Sequence, residues 1–367
     1  MKIAIDAHSI GTQAGGNETY FRQLLHGLRL DQSDNQYIVF HGHGAVLDEI
    51  EGDSRFTAVR IPKNPVLRLA ISLPLILRKM KPEVFHCQYV LPPFINTRTI
   101  VSIHDLAHEH FPESFHPLEA VRMRMQVRAT AKRAGHITTI SKFSAADIER
   151  TYGISPEKIS VAHLSAAERF HPRNKQSCQD HLSRTYGIDF PFILYVGRIQ
   201  ERKNLLRLVE AYDRLRKQGT TVKLVIAGKK DWQAEKLLAR VNDLGLTGAV
   251  FFPGYIPDDD LPLFYGAAEV FVFPSIFEGF GLPVVESMAS GVPTITSYGS
   301  SLEEVAGDGA LLVDPYDVPA MAETIQRLLE NAELRERMIG QGLRRSAEFN
   351  PKQFSLNLLD SYRALMR

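Results

Sequence analysis

Val270-Phe-Val-Phe-Pro-Ser-Ile-Phe-Glu278-Gly-Phe-Gly-Leu-Pro-Val-Val-Glu286 changes register twice in seventeen residues. Val270–Phe273 is a short aromatic and β-branched run of the kind that forms a buried strand. Gly279 and Gly281 let the backbone turn sharply and approach a ligand closely. Pro283 suits the first helical position, which predicts a helix starting near Gly281–Leu282. Free N–H groups at such a start attract phosphate oxygens. Glu278 then stands just ahead of the helix and Glu286 one turn inside it. A pyrophosphate on the N–H groups would have a carboxylate toward either end, each able to accept from a vicinal pair of hydroxyls.

The rest of the 367 residues repeats the same strand-to-helix grammar. The expected strands are Ile3–Ala7, Tyr37–Phe40, Phe56–Ile61, Val84–Gln88, Thr99–His104, His136–Ile140 and Ile159–His163. Further on come Phe192–Val196, Val222–Ala227, Val250–Phe252, Val270–Phe273, Thr294–Thr296 and Ala310–Val313. Amphipathic stretches lie between them, among them Glu18–Leu30, Leu118–Ala134, Leu205–Lys217 and Asp317–Glu330. This alternation predicts an α/β protein with parallel sheets covered by helices on both faces. So many strands suit two doubly wound, Rossmann-like domains better than one open sheet. Polar residues around Arg169–Ser177 mark the junction. The expected division is 1–175, 176–349 and a final helix within 350–367 that could cross back to the first domain.

Composition sets outer limits. A net charge of +1 gives no global field for nucleic acid. Two cysteines, Cys87 and Cys178, lie too far apart for a zinc knuckle and fit a reducing compartment. Neither a signal-peptide pattern nor an apolar run long enough to span a bilayer is evident, so a cytoplasmic location is expected.

The segment Glu278–Glu286 resembles the E-x7-E signature of retaining glycosyltransferases of the two-domain GT-B fold, a group that includes lipopolysaccharide and phosphoinositol mannosyltransferases. Other segments resemble the same family. Gly197-Arg198-Ile-Gln-Glu-Arg-Lys203-Asn204 is similar to its diphosphate-clamping turn, Gly254-Tyr255-Ile256-Pro257 to its nucleobase loop, His104-Asp105 to its active-site His, and Gly15-Gly16 to its glycine loop over the donor.

The resemblance implies two domains facing a crevice, a nucleoside diphosphate sugar as donor, no cofactor, and retention at the anomeric carbon. It implies His104, Glu278, Arg198 and Lys203 as catalytic residues. Gly15, Gly16, Tyr255, Ile256, Phe280, Gly281, Leu282 and Glu286 would hold the donor, with no metal. The expected partners are the nucleotide-sugar donor and a glycan or lipid-linked acceptor, with a hexose such as mannose transferred. The leaving phosphate oxygen would help take the acceptor proton. An epimerase of the same fold, or a donor-binding subunit without turnover, would share these features.

Each motif also has a plainer reading. Arg198 and Lys203 follow a strand, where two cations would neutralise a leaving diphosphate, but the run is also an ordinary charged turn. Arg202 carries the same charge without a positional argument. The segment His104-Asp-Leu-Ala-His108-Glu-His110 invites a metal, although a strand at His104 works against a shared helical face. Asp258-Asp259-Asp260 reads as a helix N-cap, and so does Ser141 or Ser144. Lys142 would approach the donor by resemblance. His163-Leu-Ser-Ala-Ala replaces the Asn-Gly turn common in the family. Gly11, Gly15 and Gly16 lack the G-x-G-x-x-G spacing of a dinucleotide fingerprint.

Leu118–Ala134 and Val66–Lys81 carry Arg122, Arg124, Arg128, Lys132, Arg133, Arg68, Arg78, Lys79 and Lys81 among apolar residues. Such helices either lie on an anionic membrane or pack on a sheet.

Overall fold

The computed structural model describes residues 1–12, 15–31, 33–229 and 234–366. The chain divides into two compact units, Met1–Leu164 with Asn350–Arg367, and Ser165–Phe349. The division falls ahead of residue 175 for a packing reason. Phe170 is buried edge-on against Tyr265, with ring centroids 5.7 Å apart, so the polar linker already belongs to the second unit.

The first unit is a sheet of seven parallel strands: β1 (Lys2–Asp6), β2 (Gln36–His41), β3 (Phe56–Arg60), β4 (Val84–Gln88), β5 (Arg98–Ser102), β6 (His136–Thr139) and β7 (Ile159–Val161). Their order is β3-β2-β1-β4-β5-β6-β7. The chain winds outward from β1 to β3, then restarts on the other side of β1. Register is set by Ile3, which lies opposite Tyr37 on one side and Val84 on the other. Central strands buried on both faces explain the unbroken apolar runs, with Ile3, Ile5, Val84 and Phe85 inaccessible to solvent. Each such side chain stabilises the unit by about 2 kcal/mol.

The final helix, Pro351–Met366, belongs to this unit. It lies against helix Gly16–Leu30, where a Cβ on Gly27 would meet Ser355 Oγ at 1.4 Å. Its inner end enters a buried polar network. Tyr362 Oη lies 2.6 Å from His86 Nδ1, and His86 Nε2 lies 2.6 Å from Ser102 Oγ. Ser102 in turn contacts Tyr20 Oη at 2.7 Å. Burial drives the His86 imidazole down to about 3, with His104 adding to the effect, so the ring is neutral.

The second unit has six parallel strands: β8 (Phe192–Val196), β9 (Lys223–Ala227), β10 (Val250–Gly254), β11 (Val270–Phe273), β12 (Thr294–Ser297) and β13 (Leu311–Val313), in the order β10-β9-β8-β11-β12-β13. The winding direction reverses between β8 and β11, as it does between β1 and β4 in the first unit. Loops leaving a sheet at such a reversal diverge and leave room for a ligand at the carboxyl edge.

The carboxyl ends of β8, β9 and β10 meet through glycine. Gly228 N–H donates to Gly254 O at 2.7 Å, and a Cβ on Gly228 would stand 1.9 Å from Gly197 O.

Candidate functional site

The switch point of the second unit collects most of the residues singled out in sequence. The turn after β8 is a short 3-10 segment, Glu201–Lys203, closed by Asn204 at φ 63°. Asn is among the few side chains that tolerate this left-handed backbone. Its amide donates to Pro274 O at 3.1 Å and Pro315 O at 2.6 Å, which fastens the β8 turn to the β11 turn. Ile276 N–H adds a backbone bond to Arg202 O at 2.9 Å.

Glu278 is buried between two cations. Lys203 Nζ donates to its Oε1, and Arg202 Nη1 donates to its Oε2 at 3.3 Å and to Phe277 O at 3.0 Å. Burial alone would push the Glu278 carboxyl up, yet the charges of Lys203 and Arg202 hold it below the usual carboxylate range. Lys203 Nζ also lies 5.2 Å from the Phe273 ring centroid. Sequence position gave Arg202 no role. What places it is the 3-10 turn, which brings successive side chains round toward the β11 loop. Arg198 is exposed, and its carbonyl accepts from Tyr195 Oη at 3.2 Å.

The helix is Leu282–Ala289, with Gly281 as N-cap at φ 98° and Pro283 one position later than expected. A Cβ on Gly281 would press to 2.3 Å from Leu302 Cδ2. Phe280 is buried edge-on against Phe349 at 5.5 Å, so only its backbone is available to a ligand. Leu282 is half-buried.

Among the described residues no cation pairs with Glu286. Tyr265 Oη donates to its Oε2 at 3.1 Å. Burial pushes Glu286 up to about 7, against the Tyr265 hydrogen bond and the Arg169 charge, while Asp258 pushes in the same direction as burial. The two carboxylates of the motif therefore differ: Glu278 is held ionised, and Glu286 exchanges its proton near neutrality. In the loop after β10, Tyr255 is exposed and Ile256 buried.

Asp258–Asp260 does not act as the expected cap. Asp260 occupies the N-cap of helix Leu261–Ala267 with no side-chain cap bond. Its carboxylate instead accepts from Tyr186 Oη at 2.5 Å and lies 3.4 Å from His181 Nε2, while Asp258 pairs with Arg169 at 3.3 Å. The Tyr186 hydroxyl, at the end of helix Lys175–Tyr186, out-competes the local N–H groups.

In the first unit β5 ends at Ser102, so His104 lies beyond the strand rather than inside it. The ring is buried against Tyr20, with centroids 4.5 Å apart, and beside Tyr89 at 5.6 Å. Burial drives it down to about 3, so it is a neutral imidazole. Gln88, at the end of β4, lies 3.4 Å from His104 Nε2 and donates to Asn17 O at 3.1 Å. One amide thus joins the last residue of β4 to the first turn of helix Gly16–Leu30 and to the segment after β5.

Asp105 accepts from Ala107 N–H at 3.0 Å and caps a turn instead of extending the site. His108 and His110 part company, the first to Tyr152 Oη at 3.0 Å and the second to Asp147 at 2.8 Å. Ser141 caps helix Lys142–Tyr152 through Ser144 N–H at 3.0 Å, and Lys142 is exposed. Gly15 (φ 61°) and Gly16 open helix Gly16–Leu30 with nothing within 4 Å of an added Cβ.

Comparisons with known proteins point one way. The family described as Glycosyl transferases group 1 matches residues 182–345, and Glycosyltransferase Family 4 matches residues 14–164. O-antigen chain mannosyltransferase B of Escherichia coli is 29% identical over 382 aligned positions, covering 100% of both chains. O-antigen chain mannosyltransferase RfbU of Salmonella typhimurium is 29% identical over 64% of this chain and 62% of its own length. Among solved structures, sucrose-phosphate synthase from Thermosynechococcus elongatus has a TM-score of 0.81 at 23% identity, covering 100% of this chain and 99% of that one. WaaG, a glycosyltransferase involved in lipopolysaccharide biosynthesis, has a TM-score of 0.73 at 16% identity, covering 98% of each chain. The architecture is that of the GT-B glycosyltransferases.

Proposed function

Because this chain belongs to the glycosyltransferases whose two families it matches in succession, we propose that it moves a hexose, mannose by analogy with its relatives, from a nucleoside diphosphate sugar to a hydroxyl of a glycan or lipid-linked acceptor. The observation that carries this is the convergence of Lys203, Arg202 and Glu278 beside the glycine-opened helix that holds Glu286. Anionic oxygens find cations and helix N–H groups there, with a hydroxyl-binding carboxylate on either side.

In this reading the second unit holds the donor. The diphosphate rests on the N–H groups of Gly281 and Leu282 and on Lys203, with Arg198 from the β8 turn. Glu278 takes hydroxyls of the sugar and Glu286 those of the ribose. The base lies against Tyr255 and Ile256. As the bond from the anomeric carbon to phosphate oxygen breaks, its electron pair leaves with the diphosphate, whose charge Lys203 and Arg198 neutralise without a metal. The acceptor oxygen bonds to the anomeric carbon on the face just vacated, which retains configuration, and the leaving phosphate oxygen takes the acceptor proton. A neutral His104 supports one sugar hydroxyl by hydrogen bonding, because a ring titrating near 3 is not a cationic acid at neutral pH.

No helix among the described residues is long and apolar enough to cross a membrane. Leu118, Val121 and Met125 stand exposed among Arg122, Arg124 and Arg128 on helix Pro117–Arg133, and Val66, Ile71 and Leu75 are exposed on Pro65–Met80. The acceptor side of the reading therefore includes peripheral contact with an anionic lipid surface. Binding that does not change with anionic lipid content would remove that part alone.

The decisive experiment is a thermal-shift screen of nucleoside diphosphate sugars followed by product analysis with alkyl glycosides. The expected result is one preferred donor, stabilising by about 2.7 kcal/mol at a hundred times its Kd, and an acceptor-dependent glycoside of retained anomeric configuration in the presence of EDTA. Conversion of donor alone into a different sugar would establish an epimerase. Donor binding without either product would establish a binding subunit.

A further inference from the structure

The first sheet has a polar pair at its switch point that the donor chemistry leaves unused. Asp6 ends β1 and is 1% exposed. Its Oδ1 accepts from His8 backbone N–H at 3.3 Å and lies 3.0 Å from His8 Nδ1, while Oδ2 is 3.9 Å from Arg68 Nε. Burial works against ionisation, yet His8 and Arg68 hold the Asp6 carboxyl below its ordinary range. An ionised carboxylate has no hydrogen to give, so His8 Nδ1 carries one. In the neutral ring Nε2 is then a lone-pair acceptor.

His86, on the neighbouring strand β4, shows what a structural ring looks like here. His86 is 0% exposed with both nitrogens bonded inside the unit. His8 is the reverse case. One nitrogen is fixed to a buried carboxylate, the side chain is 26% exposed, and no described residue bonds to Nε2. A carboxylate behind an imidazole fixes its tautomer and aim, which is how proteins prepare a ring for a ligand. β1 is hydrogen-bonded to β4, whose Gln88 reaches His104, so His8 leaves the sheet along the same carboxyl edge as that ring.

We propose that His8 Nε2 accepts a hydrogen bond from a hydroxyl of the acceptor, with Asp6 as its positioning residue. This rests on the glycosyl-transfer reading above and assigns it an acceptor-binding group in the first unit. The ligand class is a hydroxyl-bearing sugar, since an ether or deoxy position offers Nε2 no hydrogen.

The test uses the full-length protein, the donor chosen by the screen, and a panel of octyl α- and β-pyranosides of mannose, glucose and galactose. His8→Phe should lower kcat/KM for the best octyl glycoside by roughly ten- to a hundredfold, with donor Kd by calorimetry within twofold and Tm unchanged. His8→Gln, whose amide oxygen can accept, should recover part of the loss. Asp6→Asn should weaken acceptor use without changing donor Kd. Unchanged acceptor kcat/KM in His8→Phe overturns the proposal, and so does an equal loss of donor affinity, which would make the ring structural. If the wild-type protein glycosylates no member of the panel, the transfer reading itself fails and this one with it, before any variant is compared.

Discussion

Lys203 Nζ donates to Glu278 Oε1 across 75 residues of sequence, joining the turn after β8 to the turn after β11. The sequence reading gave these residues separate tasks, one on phosphate and one on sugar hydroxyls. Their pairing, with Arg202 on the second carboxylate oxygen, makes them one unit. A carboxylate has about four acceptor positions and an ammonium three donors, so each can keep its partner and still meet a ligand.

Removing one partner of a buried pair leaves the other charge uncompensated. Lys203→Met should destabilise the protein by roughly 1–3 kcal/mol, less than the 3–5 kcal/mol of an isolated pair because Arg202 remains. It should also weaken nucleoside diphosphate binding at least tenfold. The double variant Lys203→Met/Glu278→Gln should be more stable than the sum of its single changes predicts. Urea titration and calorimetry measure both effects, and strict additivity would mean that the contact carries no coupling.

Glu286 makes a pH prediction with a definite sign. Burial raises its carboxyl from the ordinary 4.5 to about 7, so the native state holds a proton that the unfolded chain releases. Stability should therefore fall as pH rises from about 4.5 to 7 and level off above, by at most about 3 kcal/mol. Glu286→Gln should lack this component. Donor affinity should change oppositely, rising through pH 7 as the carboxylate becomes able to accept two ribose hydroxyls. Tyr265→Phe removes a bond that favours the ionised form and should move that midpoint upward. A wild-type stability profile parallel to that of Glu286→Gln between pH 4.5 and 8 would rule this out.

Strand-to-helix alternation made both sheets legible in sequence, because parallel strands buried on two faces must be apolar without interruption. Strand ends were read less well: the run through His104 continues in apolar character after the ladder has stopped at Ser102. Residues at the carboxyl edge were found where glycine or charge interrupts the pattern, as at Gly281 and Lys203. The partners came out differently, since contacts set by the tertiary fold leave no local trace. Arg202 looked like any cation in a charged turn, Tyr265 like a core aromatic, and Asp260 like a cap until Tyr186 took its carboxylate. The linker at Phe170 was legible as polar, but its one buried ring decides which unit owns it.

The C-terminal helix gives a prediction that separates packing from propensity. Gly27 lies inside helix Gly16–Leu30, where replacing glycine by alanine in isolation would stabilise by about 1 kcal/mol. Here the added Cβ would meet Ser355 Oγ at 1.4 Å and Ser355 Cβ at 2.6 Å. The partner helix is held by Tyr362 on His86, by Ser361 on Ser160 at 2.7 Å and by Asn357 on Val161 O at 3.3 Å, so it cannot retreat without cost. Gly27→Ala should therefore destabilise by about 1–3 kcal/mol, opposite in sign to propensity. Ser355→Gly should restore most of the loss when combined with it, because it removes the atoms in conflict. Denaturant titration of the four proteins decides the point: a stabilised Gly27→Ala, or a double variant no better than the single one, would show that the helices do not meet through this glycine.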